Sequence, residues 1–273
     1  MDYLDTLLEH HKIRLKKLLP LEGKLRAAAI LRNEYAGFKT AVDLGEDRLS
    51  VVAQLARTLP KSDAGTGSEP IQTVAGRMFE GGIQGISIVT ESTLFDGSLV
   101  DLSTISRISP VPVLARGIWT HPAEICQAIV SGADAVNLVA GALGQTDLRD
   151  LYSLATGLGL DAMVEVHSLE DVEQALDLNA DLICINHRNL HTWETDPDLT
   201  EFLIDEFPSS TVVLATGGIG TVEDARRLLE AGCNGVIIGE TLMRQNIPQD
   251  LIAAIRNVRL SSAESTSIFT VVP

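Results

Sequence analysis

A unit of short apolar run, polar loop, amphipathic helix and Gly or Asn stop repeats along this chain, and its apolar run recurs eight times. The apolar runs are LSVVAQL (49–55), GISIVT (85–90), VPVLA (111–115), DAVNLVA (134–140), AMVEVH (162–167), LICIN (182–186), TVVLAT (211–216) and GVIIGE (235–240). They are too short for buried helices and are rich in Val and Ile, so they read as strands. Between them lie helical patterns such as HPAEICQAIV (121–130), SLEDVEQAL (168–176) and TVEDARRLLEA (221–231). Ser168 with Asp171, and Thr221 with Asp224, have the spacing of a helix N-cap with an acidic third position. The junctions EGGIQGISI, VSGADAVNL and EAGCNGVII end a helix at Gly and start a strand at once. Strands that alternate with helices pair in parallel. Eight of them close a barrel, and no GxGxxG follows the first strand, which disfavours a dinucleotide fold. The expected class is therefore α/β: a (β/α)8 TIM barrel with an N-terminal helical extension.

The expected boundaries are 1–48 for the helical extension, 49–260 for the barrel and 261–273 for a tail. In the extension, Leu4, Leu7, Leu8, Ile13, Leu15, Leu18 and Leu19 recur near the helical period until Pro20 interrupts. His10 and His11 are read as solvated on that helix. The segment SDAGTGSE (62–69) reads as the most flexible part of the barrel.

A net charge of −16 disfavours nucleic acid and anionic membranes as partners. No apolar run approaches the ~20 residues of a membrane span. Cys126, Cys184 and Cys233 are far apart and match no zinc spacing. Reduced thiols in the cytoplasm are expected, and neither a metal nor a cofactor.

In such a barrel the chemistry sits at the C-terminal ends of the strands. Glu165 is a charged residue in an apolar strand. Burial beside a ligand would raise its pKa and suit proton transfer; the alternative is an ion pair with Arg116 or Arg188 across the mouth. Asn186 and Arg188, two apart, would face one side if the strand continued. The glycine turns TGGIG (216–220) and GE (239–240) have the form of a phosphate cradle.

Five segments together resemble the indole-3-glycerol phosphate synthase family. ISIVTESTLFDGS (86–98), GADAVNLVAGAL (132–143), MVEVHSLEDVEQAL (163–176), ICINHRNL (183–190) and GETLM (239–243) are similar to its motifs, in order and at the matching strands. The family closes and decarboxylates an anthranilate-derived ribulose phosphate. The resemblance implies a catalytic Glu at Glu165, a polar Asn at Asn186, a substrate-carboxylate Arg at Arg188, and phosphate turns at Gly218 and Gly239.

The departures are as specific. Gln54 stands where the family has a catalytic Glu, Ala56 where it has Lys, and Leu59 where it has a Ser near the phosphate. Arg116 stands at its general-acid Lys, Gly117 at the Asp that follows, and Thr216 at a Glu. A guanidinium keeps its proton at any working pH. The reading is a non-catalytic or impaired relative that binds a phosphorylated small molecule weakly or serves as a scaffold for a protein partner. Two alternatives stand beside it. One is an active synthase with a relocated acid, Lys61 being nearest. The other is a lyase or isomerase that uses Glu165 on another sugar phosphate.

Overall fold

The computed structural model describes residues 2–67, 69–245 and 247–260; the expected tail lies outside them. Eight parallel strands form the sheet: β1 (Ser50–Leu55), β2 (Gly85–Val89), β3 (Val113–Arg116), β4 (Ala135–Val139), β5 (Asp161–Val166), β6 (Leu182–Asn186), β7 (Val212–Thr216) and β8 (Gly235–Ile238). Each pairs with the next, and β1 pairs with both β2 (Val52↔Gly85) and β8 (Val51↔Val236), so the sheet closes into a barrel.

Side-chain alternation explains why both faces of each strand are apolar. Val51, Ala53 and Leu55 point outward into the layer between strands and helices, with Ile86, Ile88 and Val164. Val52, Leu114, Met163, Cys184, Leu214 and Ile237 fill the interior. Phe38 and Val42, on the short helix Phe38–Val42, join that inner cluster near the strand starts. Gly85 makes room for Phe38: a Cβ there would stand 2.8 Å from its ring. Each fully buried Val, Leu or Ile contributes roughly 1.5–3 kcal/mol.

The extension is helical from Tyr3 to Leu18, turns at Leu19–Leu21, and resumes as Glu22–Ile30. The first helix lies over the strands' C-terminal mouth, where Leu4 and Leu7 bury against Ile118 and Val139. His10 is exposed, but His11 is not solvated as expected. Its Nε2 lies 2.8 Å from Thr120 Oγ1 and 3.0 Å from Glu124 Oε2. Helix packing turns that face inward, where the buried Glu124 needs a partner.

Part of the segment read as flexible, Ser62–Gly65, is a β-strand. Thr58–Leu59 and Ser62–Gly65 pair as an antiparallel hairpin. Lys61 takes a left-handed φ of 58° at its turn, and Gly65 allows close approach to the Arg57 carbonyl. The free cysteines Cys126, Cys184 and Cys233 are all buried. Among the described residues no helix is long and apolar enough to cross a membrane.

Candidate active site

At the C-terminal mouth lies a cavity of about 340 Å³. Gln54, Arg116, Glu165 and Thr216, from alternate strands β1, β3, β5 and β7, all line it. Such layers of inward residues are the packing rule of these barrels.

Glu165 is the most enclosed ionisable group there, with 2% of its surface exposed. Arg116 Nη2 donates to its Oε2 at 2.8 Å, Asn137 Nδ2 to the same oxygen at 3.1 Å, and Asn186 Nδ2 to Oε1 at 2.7 Å. His167 Nε2 stands 3.5 Å from Oε1. Burial pushes the carboxyl up, as the sequence reading expects. Arg116, His167 and the two amides outweigh it and hold Glu165 below the usual carboxylate range. Of the two readings that the sequence leaves open for Glu165, the geometry matches the ion pair with Arg116. The pair acts on both partners, for Glu165 holds the proton on Arg116 against the effect of burial.

β6 stops at Asn186, so strand alternation does not aim Arg188. A bridge from Arg188 to Thr195 shapes the loop instead. Asn186 Oδ1 accepts the Arg188 N–H at 3.0 Å. The guanidinium lies 5.3 Å from the centroid of the Trp193 ring and donates to the Trp193 carbonyl at 3.2 Å. Both Asn186 and Arg188 face the cavity. Burial lowers the Arg188 pKa, opposed by Glu240.

Gly218 and Gly239 also line the cavity. Gly217 and Gly218 take φ of 93° and 77°, which suits glycine. The neighbouring N–H groups of Gly220 and Thr221 already donate to Asp224, each at 2.9 Å. Beside Gly239, a Cβ would press on Gln54 Nε2 at 3.1 Å.

The remaining substituted positions offer neither an acid nor a base. Ala56 is buried, and Leu59 lines the cavity. Thr216 Oγ1 donates to the Ile237 carbonyl at 3.0 Å. Gly117 N–H donates to Asn137 Oδ1 at 2.9 Å. Lys61 is exposed on the hairpin, 3.2 Å from the Thr192 carbonyl and outside the cavity lining.

Sequence reasoning missed Asn137, although a polar residue inside DAVNLVA was the signal. It also missed the apolar wall of Leu7, Phe95, Ile118, Leu190 and Trp193. Trp193 adopts a φ of 67°, unusual for a bulky side chain, and its ring centroid lies 5.1 Å from that of Tyr3 and 5.8 Å from that of Phe95. Among the described residues no group of three or more His, Cys, Asp or Glu is arranged to hold a metal ion.

Residues 4–258 match the indole-3-glycerol phosphate synthase family. The chain is 34% identical over 260 residues to the indole-3-glycerol phosphate synthase of Exiguobacterium sibiricum, covering 95% of this chain and 98% of that protein. To the protein of the same name from Opitutus terrae it is 32% identical over 264 residues, covering 92% and 98%. Among solved structures, thiamine phosphate pyrophosphorylase from Pyrococcus furiosus is similar with a TM-score of 0.57 at 16% identity, covering 78% of this chain and 96% of that one, a likeness of fold alone. With a family match that spans both the barrel and the helix over its mouth, the chain belongs to the indole-3-glycerol phosphate synthase family.

Proposed function

We propose that this barrel binds a phosphorylated, carboxylate-bearing small molecule at its mouth and does not carry out the ring closure that names its family. One observation carries the reading: Arg116 stands 2.8 Å from Glu165 and is locked to it. Ring closure with loss of carbon dioxide needs groups that give and take protons. A guanidinium does not release its proton at working pH. Glu165 is held ionised and already accepts three hydrogen bonds. No Lys or His is among the described residues that line the cavity. Each positioned acid or base supplies on the order of 10²–10⁴ in rate, so losing the set is severe.

The binding groups fare better. Arg188 offers a planar fork to a carboxylate, and Trp193, Phe95 and Ile118 offer an apolar wall to a flat ring. The Gly218 and Gly239 turns suit a phosphate, weakly, because Ala56 and Leu59 donate nothing. Three free, buried thiols suit a reducing cytoplasm.

A second reading draws on the relatives' names. On it the chain is an active synthase in tryptophan biosynthesis, with its proton donor drawn from another group. The test is purified protein with the anthranilate-derived ribulose phosphate. The expected result is saturable binding, no indole-3-glycerol phosphate by absorbance, and no rescue of a tryptophan auxotroph. Robust turnover favours the second reading. Turnover of a different sugar phosphate would make the chain a lyase or isomerase acting through Glu165. If nothing binds, the barrel is better read as a scaffold for a protein partner.

A further inference from the structure

The turn after β8 carries a carboxylate inside the cavity. Glu240 lines it next to Gly239, and three donor groups converge on this side chain. Ser62 Oγ donates to Oε1 at 2.9 Å, and Arg244 Nη2 donates to the same oxygen at 3.1 Å. Arg188 Nη2 stands 3.6 Å from Oε2. Arg244 also donates to Ser62 Oγ at 2.9 Å and to Asp63 at 2.6 Å, so the hairpin and the β8 turn share one network. Burial pushes the Glu240 carboxyl up, but Ser62, Arg244 and Arg188 together hold it below the usual range.

Two guanidiniums and a hydroxyl around one carboxylate form a donor set that equally fits a phosphate group. Among the described residues, Glu240 is the one carboxylate within 4.0 Å of Arg188. Arg188 and Arg244 themselves line the cavity, as do Gly218 and Gly239. We infer that Glu240 is an internal stand-in for the ligand's phosphate, and that, when Glu240 swings aside, Arg244 and Ser62 receive a phosphate monoester while Arg188 is freed for the ligand's carboxylate. Arg244 then supplies, from beyond β8, the cation that Ala56 no longer offers from β1. The side chain of Glu240 is 38% exposed, so it can leave toward solvent without crossing the core. This inference rests on the phosphate reading above and assigns the side chains that serve it.

The test is titration of the full-length protein with inorganic phosphate, followed by calorimetry and by the amide resonances of Gly218 and Gly239. Wild type should bind weakly. Glu240→Gln removes the competing charge and should tighten phosphate by about tenfold, the scale of one charge-assisted contact. Adding Arg244→Gln to that variant should abolish the gain, while Arg244→Lys should keep part of it. Thermal midpoints recorded for each variant separate lost binding from lost folding. If Glu240→Gln leaves affinity unchanged or weaker while the Gly218 and Gly239 amides still shift, the network is a brace for the hairpin. The inference then falls and the phosphate reading stands. If neither wild type nor Glu240→Gln binds phosphate at millimolar concentration, both fall.

Discussion

At the scale of single residues, the pair Arg116–Glu165 decides what the site can do. The arginine is 13% exposed at its side chain and the glutamate 2%, so neither charge is well solvated. Removing one partner leaves the other buried and alone. Arg116→Ala should therefore destabilise the fold by about 3–5 kcal/mol, read as a shift in urea midpoint; a loss below about 1 kcal/mol would mean that water reaches Glu165 freely. Arg116→Lys keeps the charge and provides a group that can release a proton. It should still restore little synthase activity, because Gln54, Ala56 and Thr216 stay substituted and catalytic groups act as a unit. An absorbance assay for indole-3-glycerol phosphate checks it, and a recovery to rates typical of enzymes would show that position 116 alone sets activity.

At the scale of elements, two devices hold the loops around the cavity. The hairpin Thr58–Gly65 sits over the mouth with Leu59 and Pro60 in the cavity wall. A Cβ at Gly65 would collide with the Arg57 carbonyl, a backbone atom that cannot easily give way. Gly65→Ala should cost about 1–3 kcal/mol of local packing and open the hairpin to limited proteolysis while far-UV circular dichroism stays unchanged. The second device is His187, just past β6. Its Nδ1 lies 3.1 Å from the Gly217 carbonyl and its Nε2 lies 2.6 Å from Thr200 Oγ1, which ties the β6 loop to the β7 turn. Burial lowers its pKa, against the Gly217 carbonyl, which favours the proton. A depressed pKa means the unfolded chain binds the proton first. The contribution of His187 is thus present above its ordinary pKa of about 6.5 and lost as pH falls below it. Thermal midpoints at neutral and mildly acid pH should show this fall, and His187→Gln should reduce its slope. An equal slope in the variant would assign the fall to other groups.

At the scale of the whole molecule, the net charge of −16 opposes compaction. Moving from about 0.01 M to about 0.15 M salt shortens the screening length from about 30 Å to about 8 Å. The unfolding midpoint should rise over that range. The partly buried pairs, such as Arg32–Asp134 at 2.6 Å, are screened much less than the surface field. A fall in midpoint would mean that surface ion pairs outweigh the self-repulsion. The extension adds to stability in another way. Its first helix contributes Leu4 and Leu7 to the cluster at the mouth, and its second packs against the helix Pro122–Val130.

The chain's local periodicity determined the barrel. An alternation of β-branched runs with amphipathic helices leaves little choice of architecture, because each helix must cover the strands that flank it. The same sequence also located Glu165, Asn186, Arg188, Gly218 and Gly239, since strand ends in this architecture converge on one mouth. What those residues meet there was settled by contacts between distant segments. Arg116 and Glu165 are 49 positions apart, and His11 and Thr120 are 109 apart. Periodicity carries no information about such pairs. It could not say that Arg116 would overcome the burial of Glu165, nor that the glycine-rich stretch would fold as a hairpin tied to Arg244. It could not foresee that Trp193 would take a left-handed backbone to reach Tyr3 and Phe95. Those outcomes follow from which charges and rings the closed barrel brings within a few ångströms of each other, and only the tertiary structure decides that.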